Sequence, residues 1–324
     1  MRNILETSPC VLYRVNEDEP IMSAGLHLSQ LDIEGVVAVD GAGKPTGVTL
    51  GYNVLRLVDT KTVWSAFYRT RVADSKMRVL LAEPEDDVQT IIKSILHHGW
   101  GYAIAVNASG APINLIGLLD IAEFPVRSGY TAKVTNVRAT DKASNPLISI
   151  SEGVTVMAAI QTMLDKHVRR LFVRESELVV SDSGVIKWLL SPANFGRLRD
   201  APSEVLASSV GSLGPLLHKP VFVEKDLDAE KPQQWINKED ARCLITDDRT
   251  MILTPWDLTV SLLAKRPHRR PSVVSRAIGR IFGPLAAPPP NAEALHRRFL
   301  PFSITFGAHL MSRALRTISN GPTA

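Results

Sequence analysis

Apolar residues recur along the chain in blocks that predict four copies of one small α/β unit. The third block is the clearest, because apolar runs at residues 147–150 and 171–173 flank a segment, 154–164, with apolar side chains at helical spacing. The same order of strand, helix and strand is predicted within residues 10–39, 77–106 and 220–246. The pattern therefore predicts an α/β chain, of the α+β type, built from consecutive repeats.

Two of the units are predicted to close on a turn that combines a hydroxyl with an amide or a carboxylate. Ser191 and Asn194 follow the apolar run 188–190, and Thr254 and Asp257 follow a similar run. Each turn is predicted to lead from a strand into a helix, whose first backbone N–H groups have no partner within the helix. Such a site suits phosphate and ribose. The alternative is an ordinary helix cap with nothing bound, since these residue types are favoured there in any case.

Weaker versions of this turn are predicted in the first two units, at Asn53 and Glu123. With Asn194 and Asp257 the four markers lie 63 to 71 residues apart. This near-constant step is too long for a solenoid repeat and fits one small α/β unit per copy.

Composition and charge place the chain among globular proteins with one unusual end. The chain has 324 residues, 45% of them hydrophobic, which is enough to bury a substantial core in about two domains. Residues 265–324 contain ten Lys and Arg and a single acid, whereas the whole chain has a net charge of only +4. The basic charge therefore belongs to the C-terminal tail, and the body before it is acidic.

The sequence gives no indication of a catalytic or metal centre. Cys10 and Cys243 lie far apart without metal-ligand spacing, and the eight histidines are scattered. No nucleophile elbow, HExxH or CxxC motif occurs. With no apolar signal segment at the N-terminus and no long apolar stretch, we expect a cytoplasmic protein that is not an enzyme and requires no cofactor.

The order strand, helix, strand hairpin, helix, with apolar residues followed by Thr254 and Asp257 at the end of the fourth unit, resembles the cystathionine β-synthase (CBS) domain. CBS domains pair through their sheets into Bateman modules. The resemblance implies a first module at residues 1–140, with repeats at about 8–60 and 75–125, and a second at 141–264, with repeats at about 145–200 and 208–264. Residues 265–324 would form a basic, partly disordered tail.

The resemblance also implies a binding site for AMP, ADP, ATP or an adenosyl ligand such as S-adenosylmethionine. In that family the carboxylate binds the ribose hydroxyls, and hydroxyl or basic groups hold the phosphates. Carried over by position, the nucleotide-binding candidates in this chain are Ser191, Asn194, Thr254, Asp257, Arg169 and Arg170, and the weaker candidates are Asn53, Ile148 and Val221.

The first module departs from the family pattern in both of its turns. Leu50 replaces the hydroxyl residue in the first repeat, and Asp120 and Glu123 are aligned with the hydroxyl and carboxylate positions in the second. Two carboxylates there would repel a phosphate. We therefore expect nucleotide to bind the second module, and the first to serve in packing or dimerisation.

The tail contains two segments, residues 272–282 and 308–318, whose apolar and basic residues predict short amphipathic helices between proline-rich stretches. Such segments bind anionic membrane surfaces, nucleic acid or acidic protein partners. They could equally pack against the acidic body of the same chain.

Three hypotheses follow from the sequence. The first is a regulatory protein that senses an adenine nucleotide, forms a homodimer through its CBS pairs and acts on a protein target. The second is a degenerate CBS scaffold that assembles with a partner and binds no nucleotide. The third is binding of nucleic acid or a membrane surface through residues 265–324.

Overall fold

The computed structural model describes most of the chain from residue 12 to residue 257. The described residues are 12–31, 33–83, 85–86, 88–98, 101–118, 120, 145–224, 243–255 and 257. Among them no helix has the length and apolar character needed to cross a membrane. The predicted helix near residues 231–237, Glu123, Cys10 and the whole of 265–324 lie outside the described residues.

The first repeat forms a three-stranded sheet with its helices on one face. Strand β1 runs parallel to β2, and β2 pairs antiparallel with β3. Ile21, Ala24 and Leu28 are fully buried, as the helical spacing predicted, whereas Leu31 lies just beyond the helix and is exposed. The elements are β1 (Arg14–Asn16), α1 (Ile21–Gln30), β2 (Gly35–Val39), β3 (Pro45–Leu50), α2 (Gly51–Leu55), α3 (Val63–Arg69) and α4 (Val72–Ser75).

The second repeat has the same strand order. Ile91, Ile92 and Ile95 are buried against its sheet on one face of a helix, and the order of strand, helix and strand predicted within residues 77–106 is confirmed. Its described elements are β4 (Leu80–Ala82), α5 (Val88–His98), β5 (Tyr102–Val106) and β6 (Pro112–Gly117). Strand β4 is parallel to β5, and β5 is antiparallel to β6.

The third repeat differs from its prediction in its second half. After β9, the chain forms a further strand and then a helix, so residues 188–190, predicted to end a strand, lie at the end of helix α7. A short strand, β7 (Asn145–Pro146), precedes this repeat. The elements of the repeat and of the segment after it are β8 (Ser149–Ile150), α6 (Val156–Asp165), β9 (Arg170–Val173), β10 (Leu178–Ser181), α7 (Asp182–Leu189), α8 (Pro192–Asp200), α9 (Pro202–Ala207) and a 3₁₀ helix (Val210–Leu216).

The described part of the fourth repeat is its sheet. Strand β11 (Val221–Val223) is parallel to β12 (Leu244–Thr246), which pairs antiparallel with β13 (Met251–Leu253). Strand β7, which precedes the third repeat, pairs with β13 on the far side. The segment before repeat 3 therefore contributes a strand to the sheet of repeat 4.

The sheets of the four repeats pack in two pairs. Val37, Val48 and Leu50 of repeat 1 share a core with side chains of β5 in repeat 2. In the same way, Phe172 and Val179 of repeat 3 share a core with side chains of β12 and β13 in repeat 4, including Cys243 just before β12.

A larger core joins the first and third repeats through their helices. Buried side chains of α1 and α2 lie in one cluster with those of α6, α7 and α9. Helix α7 contacts both α1 and α2. Close packing of this kind removes apolar surface of both repeats from water and holds the two sheet pairs together.

Candidate functional site

Three of the four strand-to-helix turns contain the same hydrogen bond. In each, the backbone N–H of the last strand residue, or of the residue after it, donates to the side chain three positions later. The pairs are Leu50 N to Asn53 Oδ1 (2.9 Å), Gly117 N to Asp120 Oδ2 (2.8 Å) and Thr254 N to Asp257 Oδ2 (2.8 Å). This geometry defines the equivalent positions of repeats 1, 2 and 4.

The equivalent turn of repeat 3 begins at Ser181, and its hydrogen bond has the opposite direction. The N–H of Gly184 donates to Ser181 Oγ over 3.1 Å, so the hydroxyl caps helix α7. A Cβ atom on Gly184 would lie 2.9 Å from the carbonyl oxygen of Leu216. The third turn therefore has neither a carboxylate at this position nor room for one.

The assignment of Ser191 and Asn194 to this turn was wrong. Both lie at the start of α8, one helix later, and both bind the end of α7 instead of an open cleft. Ser191 Oγ donates to the carbonyl oxygen of Trp188 over 2.8 Å, and the buried Asn194 donates to the same oxygen over 2.9 Å. Their polar groups are used to connect two helices.

The alignment of repeat 2 also requires correction. Asp120 takes the carboxylate position, three residues after Gly117, whereas the sequence alignment had given that position to Glu123. The hydroxyl position is a glycine. Asp120 is therefore the carboxylate of this turn, and the predicted repulsion between Asp120 and Glu123 involves a residue outside the described ones.

Thr254 and Asp257 lie together, as their spacing predicted. Besides the backbone bond, Thr254 Oγ1 donates to Asp257 Oδ2 over 2.9 Å, and Asp257 is only 2% exposed. At the opposite end of β13, the N–H of Leu147 donates to the carbonyl of Thr250 over 2.8 Å, so the segment before repeat 3 runs along the sheet of repeat 4. Ile148 is the next residue of that segment, and its carbonyl accepts from the N–H of Phe172.

The other two weak candidates are Val221 and Asn53. Val221 lies in the first strand of repeat 4, and Asn53 lies in repeat 1 at the position that corresponds to Asp257. Val221 is half-buried and pairs with Leu244 at the start of β11. Asn53 is buried, with its amide oxygen bonded to the N–H of Leu50. Their predicted contact with a nucleotide stays a prediction.

Arg169 and Arg170 point away from the Ser191 turn. Arg169 Nε donates to Asp182 Oδ2 over 2.8 Å, and its Nη1 donates to the hydroxyl of Tyr102 over 3.1 Å. Arg170 Nη2 lies 4.0 Å from Glu34 Oε1. Acidic groups of the protein itself therefore lie beside both guanidinium groups, and the predicted contact of Arg169 and Arg170 with a phosphate stays a prediction.

Burial changes the acid–base properties of this cluster. It raises the pKa of the Tyr102 phenol, and the nearby Glu34 carboxylate adds to that effect. Burial opposes the charged form of Arg169, but the Asp182 carboxylate, with Tyr102 and Glu34, raises its pKa above the usual range. Arg169 is thus a fixed cation.

Comparison with known proteins places this geometry in a fold family. No protein-family model matches the chain. A solved protein of Methanocaldococcus jannaschii, proposed as an archaeal homologue of γ-AMPK, matches 78% of this chain and 96% of its own length, with 17% identity and a TM-score of 0.66. The CBS domain of a Sphaerobacter thermophilus membrane protein matches 37% of this chain and 83% of its own length, with 20% identity and a TM-score of 0.32.

One curated relative has detectable sequence similarity. An uncharacterised protein of Methanopyrus kandleri is 31% identical over 93 residues, which are 29% of this chain and 46% of that protein. The match therefore spans less than half the length of that relative.

The repeats, their mixed sheets and the M. jannaschii match define the class as a four-repeat α/β protein. The chain shares this fold with the M. jannaschii protein, and the α/β fold expected from the resemblance is confirmed.

Sequence reasoning missed Glu34, Tyr102, Ser181, Asp182 and Gly184. A signal was present for the last three, because the apolar residues 178–180 precede a serine and an aspartate, the usual beginning of a helix. No local signal marked Glu34 or Tyr102, because their partners are more than sixty residues away along the chain.

Proposed function

We propose that this chain is a regulatory protein that binds an adenine nucleotide or an adenosyl ligand at the Thr254–Asp257 turn. Repeats 1 and 2, and repeats 3 and 4, would then act as two Bateman modules. The observation that carries the proposal is the buried Asp257 carboxylate, held by the N–H and the hydroxyl of Thr254 at 2.8 and 2.9 Å.

The chemistry of this carboxylate suits a sugar with adjacent hydroxyls. A carboxylate has only acceptor sites, and its hydrogen bonds with neutral hydroxyl donors are charge-assisted and therefore strong. Two bonds from Thr254 fix its orientation before a ligand arrives, which lowers the entropic cost of binding. Ile148 follows the residue that pairs with Thr250, at the end of β13 opposite to Thr254, so its contact with the ligand stays a prediction from the resemblance.

The proposal leaves out four residues of the sequence-based site. Ser191 and Asn194 are bound to Trp188, and Arg169 and Arg170 are directed to acidic side chains. In the proposed site, the groups that contact the phosphate would therefore be other residues close to the Thr254–Asp257 turn of repeat 4.

Binding can be tested by thermal unfolding of the full chain with AMP, ADP, ATP or S-adenosylmethionine. A ligand present at 100 times its dissociation constant stabilises the folded state by about 2.7 kcal/mol. We expect at least one of the four ligands to raise Tm, and Asp257→Ala to abolish that rise.

Ser181→Ala is the matched control, because it also deletes a side chain that accepts a hydrogen bond from a backbone N–H in a strand-to-helix turn. It should keep the ligand-dependent rise in Tm. A rise that survives in Asp257→Ala would remove Asp257 from the site, and no rise with any ligand would favour the scaffold hypothesis.

The scaffold hypothesis is supported by the third turn. Its Gly184 has no ligand-binding side chain, and the neighbouring Asp182 is bound to Arg169. If the polar groups of every turn were bound within the protein as they are in the third turn, the chain would hold its repeats together without binding a nucleotide. Formation of a homodimer and binding of a partner by residues 265–324 stay predictions from the sequence under either hypothesis.

A further inference from the structure

Helices α3 and α8 contact each other at the surface of the large core, and three of their aromatic side chains lie together there. Trp64 contacts both Tyr68 and Phe195, with 5.0 Å between the ring centroids in each pair. We name these three residues the aromatic patch. Trp64 and Phe195 are half-buried against the core, whereas Tyr68 is 47% exposed. The core therefore holds the rings in place while the patch remains accessible.

Repeats 1 and 3 contribute equivalent residues to the patch. Trp64 lies as many residues after Leu50 as Phe195 lies after Ser181, and Leu50 and Ser181 begin the strand-to-helix turns of their repeats. The two rings meet edge to face, at an interplanar angle of 75°. The patch therefore depends on the packing of repeat 1 against repeat 3, and a molecule bound to it would contact both halves of the described chain.

The polar groups of the patch have no partner within the part of the chain that the structure describes. Neither the indole N–H of Trp64 nor the hydroxyl of Tyr68 makes a hydrogen bond there. By contrast, the buried Trp188 donates its indole N–H to the carbonyl of Ser212 over 3.1 Å. Trp and Tyr are enriched at protein interfaces because they combine a large apolar body with such a polar group.

Basic side chains border the patch on both helices. Arg199 lies four residues after Phe195 in α8, a spacing that places both on one side of the helix. Lys61 lies three residues before Trp64, in the turn that leads into α3. Both cations are exposed, and the ammonium group of Lys61 has no ion pair among the described residues. A negatively charged group above the rings would therefore meet cations from both helices.

The local charge is opposite to that of the body of the chain. Residues 56–69 and 192–200 contain five Lys or Arg and two Asp, whereas the chain before its basic tail is acidic overall. One of the two acids, Asp200, is already bound by Arg199 through hydrogen bonds of 2.7 and 3.0 Å. This surface is therefore complementary to a negatively charged partner.

From these observations we propose that the aromatic patch binds an acidic segment of another protein, in which Asp or Glu side chains stand beside apolar ones. The apolar side chains pack on the rings, and the carboxylates face Lys61 and Arg199. Aromatic residues and Arg are the residue types that carry most of the binding energy in protein interfaces. The basic residues 265–324 carry the wrong charge for this surface, and a second copy of the patch would bring two basic surfaces together.

A single strand of nucleic acid is the other anionic partner that basic and aromatic side chains attract. Its bases would need open ring faces on which to stack. Trp64 packs against two other rings, and both Trp64 and Phe195 are half-buried against the core. These contacts favour the side chains of a peptide over stacked bases.

Selection of short random peptides by phage display tests the chemistry of the partner. The full chain without nucleotide is the bait, and each selected peptide is retested on Tyr68→Ser, which changes an exposed ring. We expect the peptides that lose binding to this variant to combine Asp or Glu with apolar residues. The proposal is overturned if no selected peptide depends on Tyr68, or if those that do are neutral or basic.

Fluorescence anisotropy with one selected peptide, made synthetically, measures the size of the effect. Tyr68→Ser and Trp64→Ser should each weaken binding at least about tenfold, the scale expected for a central aromatic residue of an interface. Ile113→Ser is the matched control, because Ile113 is also apolar and 44% exposed but lies in repeat 2. Equal losses in the control would overturn the proposal, and Tyr68→Ser keeps the test valid if Trp64→Ser does not fold.

The charge of the partner is tested with Lys61→Glu, which should weaken binding of the same peptide more strongly at low salt than at high salt. Lys44→Glu makes the same exchange at an exposed lysine in the hairpin of repeat 1 and should leave the affinity unchanged. A single-stranded oligonucleotide that binds more tightly than the peptide, and loses that binding in Tyr68→Ser, would overturn the proposal in favour of nucleic acid. These outcomes do not depend on Asp257, so they are independent of nucleotide binding.

Discussion

The turns of repeats 3 and 4 begin alike and end in opposite ways. Each follows the last strand of its sheet and places a hydroxyl residue, Ser181 or Thr254, before the helix. In repeat 3 the hydroxyl accepts a bond from the N–H of Gly184, whereas in repeat 4 the N–H of Thr254 donates to Asp257. In repeat 3 the side chain of the turn binds a backbone N–H, whereas in repeat 4 a backbone N–H holds a carboxylate in place.

The residue three positions after the hydroxyl therefore separates a capped helix from a candidate binding site. At that position in repeat 3, the carbonyl of Leu216 fills the space that a side chain would need. The charge next to the turn differs as well, since Asp182 already binds Arg169. Similarity of sequence at the first residue of a turn thus says little about binding unless the position three residues later is compared too.

The largest effect is expected from Arg169→Met, which leaves the buried Asp182 without its cation. Breaking a buried ion pair by removal of one partner costs about 3–5 kcal/mol, because the remaining charge is uncompensated. Urea unfolding measures the loss. Arg199→Met, which breaks the exposed pair with Asp200, should cost less than about 1 kcal/mol. Equal losses in both variants would show that the buried Arg169–Asp182 pair contributes no more to stability than a surface pair.

Gly184→Asp would make the third turn resemble the fourth in sequence. The added side chain meets the carbonyl of Leu216, and overpacking of this kind costs about 1–3 kcal/mol. Asn53→Asp introduces the same acid into repeat 1, where a side chain of that size is already present, and should cost less. Thermal unfolding compares the two. A stable Gly184→Asp variant with a second nucleotide site would contradict the steric account of this turn.

Ser181→Ala tests which serine caps the turn of repeat 3. Loss of a serine N-cap costs about 1 kcal/mol, and Ser181 caps α7 through the N–H of Gly184. Ser191→Ala should cost less, because Ser191 precedes α8 without a side-chain bond to that helix. The free energy of unfolding in urea decides between them. A larger loss from Ser191→Ala would support the original sequence alignment.

The last effect is confined to high pH. The pKa of Tyr102 is raised in the folded protein, so the unfolded chain loses its phenolic proton first as pH increases. The contribution of Tyr102 is therefore complete below about pH 10, and above it stability should fall by up to about 1.4 kcal/mol per pH unit. Tyr102→Phe should show a shallower fall between pH 9 and 11 in urea unfolding. Parallel curves for the two proteins would contradict the raised pKa.

The sequence predicted the parts of the fold that depend on local periodicity. Ile21, Ala24 and Leu28 marked α1, and the polar turns between paired strands marked the hairpins of repeats 1 and 2. The run at Trp188, Leu189 and Leu190 was misassigned because it is buried within a helix in the large core, and a short apolar run does not distinguish a strand from a buried helix.

The candidate site was predictable to the extent that it is local. Thr254 and Asp257 lie three residues apart and bind each other, so their spacing was sufficient. Asp120 was misplaced because its turn begins with a glycine in place of the expected hydroxyl residue. The role of Arg169 depends on side chains from two other repeats, and those contacts exist only in the folded chain.

The core that joins helices of repeats 1 and 3 has a consequence for how the chain can be divided. A sheet pair produced alone would expose the face of α1 or of α7 that is now buried. Exposed apolar faces of this kind favour association with other molecules. The repeating unit of the chain is therefore shorter than the unit that can bury its own apolar surface in water.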